Sequence, residues 1–236
     1  MPVDEDYPKI KMALVLLSGG IDSTTCLYIA REEFGNVNVT GLSINYGQRH
    51  LKETEQAKEI CDGAARVDFE MLDIPGMPKS MLTDPEVEVP NVSYSEIEGV
   101  SPTYVPFRNG QLLSRAAAYA QANEYTDIYF GAHAEDALNW AYPDCTPEFI
   151  GAMANAIYVG TYHQVRLITP LEWLTKCEII RLGERLGVPW ELTWSCYKGE
   201  ELHCGICPTC RARRDGFLDS GVRDPTIYAE TPTDDG

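Results

Sequence analysis

The run Met12 to Leu17 is apolar throughout, and it leads directly into Ser18-Gly19-Gly20-Ile21-Asp22-Ser23 and then into the helix-forming stretch Thr24 to Phe34. A small-residue loop therefore joins a buried strand to a helix. Two glycines let the backbone turn tightly with its N–H groups facing inward, and the positive end of the helix dipole adds to them, which makes a main-chain seat for a phosphate chain. The candidate nucleotide loop comprises Leu17, Ser18, Gly19, Gly20, Ile21, Asp22, Ser23 and Thr24. The hydroxyls of Ser18, Ser23 and Thr24 supplement the amides, and Asp22 is positioned to hold a magnesium ion against bound phosphates. No lysine completes a Gly-x-x-x-x-Gly-Lys-Ser/Thr pattern, which excludes the phosphoryl-transfer loop of kinases and GTPases. The plain alternative is an ordinary βα turn rich in glycine and serine.

Apolar, strand-like runs recur at Val37 to Ile44, Ala65 to Leu72, Asp127 to Gly131 and Val165 to Ile168. Helix-like segments fall between most of them, at His50 to Cys61, Asn109 to Asn123, Pro147 to Tyr158 and Lys176 to Leu186. This alternation predicts an α/β fold, a doubly wound parallel sheet covered on both faces. The last helix has the clearest ends: Thr175 with Glu178 forms a capping box, and Gly187 before Val188-Pro189 forms a stop. Residues 12–190 read as one nucleotide-binding and catalytic domain, 191–222 as a small helical metal-binding segment, and 1–11 and 224–236 as acidic tails. The stretch 75–104, rich in proline, acids and serine, reads as a flap, either a lid or a mobile insertion.

The 236 residues carry 19 basic and 36 acidic side chains, a net charge of −17, so the chain repels polyanions unless a local basic patch offsets the field. The one dense basic cluster is Arg211, Arg213 and Arg214. Small-molecule substrates are expected, with no nucleic-acid partner. No apolar stretch approaches the roughly 20 residues that span a bilayer, and Met1 to Lys11 is acidic and polar, so a cytoplasmic protein with no membrane partner is expected.

Cys196, Cys204, Cys207 and Cys210 follow the spacing C-x7-C-x2-C-x2-C. Tetrahedral thiolate coordination of zinc suits this pattern, with an iron–sulfur cluster as the main competitor and a disulfide pair less suited to a reducing compartment. His203 adjoins a ligand and could replace one. Cys26, Cys61 and Cys177 read as small buried hydrophobes on helix faces.

Three further groups carry chemistry. Arg108, in Tyr104-Val105-Pro106-Phe107-Arg108-Asn109, stands beside a helix start and could neutralise a phosphate or a carboxylate, while Asn109 reads as a substrate contact or simply as the N-cap. Asp136, Tyr142, Asp144 and Cys145 follow a strand, at the edge where open α/β sheets bind ligands. An aspartate there can accept from the amine and ring N–H of a guanine-like base while Tyr142 stacks on its face; a structural Tyr-Pro-Asp turn is the alternative. Lys176 offers a cation to an α-phosphate transition state, or is a plain surface lysine.

The loop Ser18 to Ser23 with Thr24-Thr25, the tetrad Tyr142 to Cys145, Trp194-Ser195-Cys196-Tyr197 and the run Cys207-Pro208-x-Cys210-x-x-Arg213 occur together and in order. The loop alone resembles the SGGxDS signature of the ATP pyrophosphatase group, and the set resembles the 7-cyano-7-deazaguanine synthase family from about Met12 to Asp215. The resemblance implies conversion of 7-carboxy-7-deazaguanine, ammonium and ATP to a nitrile that feeds queuosine or archaeosine. It also implies a structural zinc on Cys196, Cys204, Cys207 and Cys210, magnesium with ATP, catalytic roles for Asp22, Lys176 and Arg108, and a homodimer. An adenylating, tRNA-thiolating enzyme of the same fold is the nearest rival, and a non-catalytic nucleotide-binding module is another.

Overall fold

The computed structural model describes residues 11–48, 52–78, 80–84, 86, 100–198 and 201–230. Five parallel strands form one sheet in the order β3-β2-β1-β4-β5, with β1 at Ala13–Leu16, β2 at Val39–Asn45, β3 at Asp68–Asp73, β4 at Asp127–Tyr129 and β5 at Arg166–Ile168. β1 pairs with β2 on one side (Ala13 opposite Val39) and with β4 on the other (Ala13 opposite Asp127). The strand order reverses at β1, and the crevice between the carboxyl ends of β1 and β4 is where such sheets bind ligands.

The uninterrupted apolar run of β1 has a direct cause. Ala13, Val15 and Leu17 join one core with α1 (Ile21–Phe34), α5 (Lys176–Leu186) and Trp190, whereas Leu14 and Leu16 join a second core with α3 (Arg108–Ala122) and Ile157 of α4 (Pro147–Gly160). Both faces of the strand are buried, so no polar alternation is required.

Element ends differ from the sequence expectation where glycines and caps decide them. α1 begins at Ile21 rather than Thr24, because Gly20 in extended conformation serves as the N-cap and puts Asp22 and Ser23 in the first helical turn. α2 (Lys52–Glu59) runs on as a wide turn, Ile60–Ala65, which displaces β3 to Asp68. α5 has the expected bounds, with both arms of the Thr175–Glu178 capping box formed and Gly187 left-handed at its end. The helical segment expected after the cysteines is α6 (Pro208–Ser220).

The described part of the expected acidic tail is not loose. Ala229 N–H donates to His203 O and Glu230 N–H to Cys204 O, so residues 224–230 lie back across the cysteine segment. Half of the expected lid, including 87–99, lies outside the described residues; at its end Ser101 and Thr103 are buried. Among the described residues no helix is long and apolar enough to cross a membrane.

Gly183 on α5 has a packing reason. A Cβ there would collide with the Trp190 ring, which is itself fixed by an edge-on contact with Phe217 and by donation from its indole N–H to Glu184. Gly183→Ala is expected to lower unfolding free energy by about 1–2 kcal/mol, the overpacking cost exceeding the gain in helix propensity, as urea titration would measure.

Candidate active site

The glycine loop is held from inside and from behind. Ser18 N–H donates to Ser23 Oγ (3.2 Å), the Ser18 and Ser23 hydroxyls share a bond of 3.0 Å, and Thr24 N–H reaches Gly20 O (3.0 Å). Gly19 has φ +83°, and a Cβ on it would meet Glu53 O at 2.6 Å, so glycine is required twice over. Its carbonyl accepts Trp194 N–H at 2.8 Å. The Thr24 hydroxyl is fully buried and has no hydrogen-bond partner among the described residues.

Beside the loop, in the crevice at β1 and β4, Lys176 Nζ donates to both oxygens of Asp22 (2.6 and 2.7 Å) and lies 3.0 Å from His133 Nε2. His133 Nε2 also faces Asp136 (3.4 Å) and Asp22 (3.9 Å). Burial alone would raise the Asp22 carboxyl, but the charges of Lys176 and His133 and the Lys176 hydrogen bonds hold it below the usual aspartate range. Lys176 is set in place by its own N–H, which donates to Glu135 (2.8 Å), and by Gly216 of α6, where a Cβ would collide with the lysine stem at 2.6 Å. Sequence reasoning did not single out His133 for a role. Its only signal was its place just past β4.

Arg108 opens α3 after Phe107, which is left-handed at φ 53°. Its guanidinium reaches Asn109 Oδ1 (3.3 Å) and Tyr46 OH (3.4 Å). Asn109 is not the N-cap. It lies inside α3, its backbone N–H donating to Asp144 Oδ2 (2.9 Å) and its amide to Asp144 O and Cys145 Sγ. Asp144, 3% exposed, thus closes the N-terminus of α3, and burial raises its carboxyl despite the Asn109 bond and Arg108. Burial also raises the Cys145 thiol well above its ordinary value, so it is a neutral donor or acceptor rather than a nucleophile. Tyr142 OH is bonded to Thr103 (2.5 Å) and Ser101 (3.1 Å), anchoring the end of the flap segment to the tetrad.

A small cleft between α2, the start of α3 and the cysteine segment is lined by Tyr46, Gln48, Glu53, Leu82, Arg108 and Tyr197. Burial pushes Glu53 up to about 7, with Arg108 pulling in the opposite direction. Glu53 sits in Lys-Glu-Thr-Glu-Gln-Ala-Lys-Glu, a sequence that reads as a solvated helix and gives no signal of a site.

The four C-terminal cysteines converge. Their sulfurs lie within 4.8 Å of one another, all buried, and Cys204 Sγ and Cys210 Sγ are 3.9 Å apart. Backbone N–H groups of Lys198, Cys204 and Cys207 point at these sulfurs at 3.4 Å, and hydrogen bonds from Cys196 and Cys210 favour the thiolate of Cys207. Such a group can hold one metal ion. His203 stays outside it: its Nε2 accepts Ser195 N–H (3.1 Å), its ring packs on Trp194, and burial depresses it to about 4. Cys26 and Cys61 are buried as expected, whereas Cys177 is only half-buried near the start of α5. Arg213, one of the three arginines of the dense basic cluster, is 1% exposed and donates to Trp190 O, Thr193 and Thr226.

A family model described as queuosine biosynthesis protein QueC matches residues 12–221. A 7-cyano-7-deazaguanine synthase of Thermoplasma volcanium is 44% identical over 229 residues, covering 94% of this chain and 92% of the relative. One from Clostridium kluyveri is 40% identical over 227 residues, covering 93% and 98%. Among solved structures, the U34-tRNA thiolase NcsA from Methanococcus maripaludis, with its 4Fe–4S cluster, aligns with a TM-score of 0.51 at 15% identity over 97% of this chain and 79% of that one, a likeness of fold alone.

Two outcomes follow from the geometry. Asp22→Asn is expected to leave the fold intact and abolish turnover. Because the folded Asp22 pKa is depressed, its ionic contribution is complete above the ordinary aspartate value and is lost as pH falls through the folded value. The stability gap between wild type and Asp22→Asn, from urea titrations, should therefore be flat at neutral pH and shrink below about pH 4. Cys207→Ser is expected to lose bound metal and thermal stability together, read by elemental analysis and calorimetry.

Proposed function

The chain belongs to the QueC family of queuosine biosynthesis proteins and is an enzyme, and from that premise we propose that it converts 7-carboxy-7-deazaguanine, ammonium and two ATP to 7-cyano-7-deazaguanine, for queuosine or archaeosine. The observation that carries this reading is the meeting of an anion-binding glycine loop with the Asp22–Lys176–His133 group at the carboxyl ends of β1 and β4.

A carboxylate is a poor electrophile and has to be activated. Its oxygen attacks the α-phosphorus of ATP, the bond to the β-phosphate oxygen breaks, and pyrophosphate leaves an acyl-adenylate. Ammonia adds to the acyl carbon and AMP departs, giving the amide and releasing a proton. The amide oxygen then attacks a second ATP in the same way, and loss of AMP and of both protons from the nitrogen leaves the nitrile. Both rounds use one pocket. Leu17 to Thr24 cradle the outer phosphates, Lys176 neutralises charge growing at the α-phosphate, and Arg108 orients the substrate carboxylate. Asn109, Asp144 and Cys145 hold α3, and with it Arg108, in position. Tyr142 ties the flap segment to that scaffold, and Asp136 orients His133.

Asp22, ionised and partly exposed, is the residue that would hold the magnesium ion accompanying ATP. The four cysteines fit zinc: with Zn–S near 2.3 Å, tetrahedral sulfurs stand about 3.8 Å apart, close to the 3.9 Å between Cys204 and Cys210. Sulfurs grouped this closely suit one ion better than a multi-iron cluster, which weighs against the thiolating alternative. We retain 12–190 as the catalytic unit and 191–222 as the zinc segment, in a cytoplasmic homodimer with no nucleic-acid or membrane partner.

Purified protein given magnesium, ATP, ammonium and 7-carboxy-7-deazaguanine is expected to form the nitrile by mass spectrometry, with AMP and pyrophosphate in equal amounts. Formation of ADP, or substrate-independent hydrolysis alone, would refute the reading.

A further inference from the structure

We propose that Glu53 is the residue that reads the aminopyrimidine edge of the deazapurine, accepting hydrogen bonds from its ring N–H and exocyclic amine while Arg108, lining the same cleft, takes the carboxylate. This inference rests on the reaction proposed above and assigns its specificity.

Three observations carry it. First, the groups expected to read the base are committed elsewhere: Asp144 caps α3 and is 3% exposed, Asp136 faces His133 Nε2 at 3.4 Å, and Tyr142 is buried with its OH bonded to Thr103 and Ser101. Second, Glu53 and Arg108 line one cleft and feel each other's charge without an ion pair between them, and among the described residues no hydrogen bond or ion pair engages the Glu53 carboxylate. A partly buried carboxylate without a donor is costly, and a ligand carrying donors relieves that cost. Third, the chemistry matches at both ends. A guanine-type edge presents two parallel N–H donors, the pattern a carboxylate accepts with its two oxygens, and the acid group on the five-membered ring lies on the far side of the bicycle. Tyr46 and Tyr197 line the same cleft, and the Arg108 guanidinium lies over the Tyr46 ring at 5.8 Å, which fixes the cation at that end.

The backbone of Glu53 has a separate task, since its carbonyl packs against Gly19. Only the side chain is assigned here, and the isosteric Glu53→Gln changes that alone. In steady-state assays this variant is expected to raise KM for 7-carboxy-7-deazaguanine by about tenfold to a hundredfold, the size of one two-point base contact, while kcat and KM for ATP stay within about twofold. The 2-desamino analogue is expected to be a poorer substrate than 7-carboxy-7-deazaguanine for the wild type and to lose that disadvantage in the variant. A purely structural role would lower kcat and weaken both substrates together. Unchanged discrimination between the two deazapurines in Glu53→Gln, or a larger effect on ATP than on the deazapurine, would overturn the assignment. Calorimetry on the wild type supplies an arm that needs no variant, because equal affinity for the two compounds would overturn it too. Absence of nitrile from the wild-type enzyme would instead refute the reaction itself.

Discussion

The close approach at Gly19 is the constraint on which the site depends. With no side chain there, the loop lies against the backbone of α2, 2.6 Å from Glu53 O and 3.0 Å from Ala57 N as a Cβ would measure it, while its carbonyl takes the N–H of Trp194. The loop is therefore clamped between a helix of the sheet domain and the segment that carries the cysteines. Its backbone is fixed from both sides, the condition that a preorganised set of N–H donors has to meet. The same contact fixes the backbone of Glu53, a residue that lines the neighbouring cleft, so the glycine loop and that cleft share a wall.

Charge is distributed to suit small anions in an otherwise acidic protein. The net charge of −17 sets a repulsive background, against which the carboxyl edge of the sheet gathers the starts of α1, α3 and α5 together with Arg108 and Lys176. Helix N-termini are favourable to anions at short range. Asp22 limits this accumulation, since its ionised carboxylate pairs with Lys176 and keeps the lysine directed toward the loop. His133 sits against the same ammonium with Asp136 on its other side, so the cation is held by a network rather than by one partner.

Much of this was legible in the sequence because it rests on local patterns. The five strands show as apolar runs, the tight loop as glycines between a strand and a helix, α5 through its capping box, and the cysteine cluster as four cysteines at short spacing. What stayed hidden depends on side-chain direction. Asp144 and Tyr142 lie in the right neighbourhood yet turn inward, because the N-terminus of α3 and the hydroxyls of Ser101 and Thr103 satisfy them. Arg213 belongs to an arginine-rich stretch, but the helical spacing of α6 turns it into the protein while Arg214 remains outside the core. Glu53 and Lys176 are alike in composition to any solvated helix start, and only the crossing of elements at the sheet edge gives them partners.

Arg213 explains how the cysteine segment becomes part of the active-site frame. Its guanidinium bonds Trp190 O and Thr193, just before Trp194, and Thr226 on the returning chain, with Asp224 at 3.8 Å to offset the buried charge. Burying an arginine is costly unless nearly every donor is used, and here the donors join three separate stretches of chain. Trp194 then hands its own N–H to Gly19. The path from the cysteine cluster to the glycine loop is thus a few bonds long, so whatever orders the cysteine segment also braces that loop.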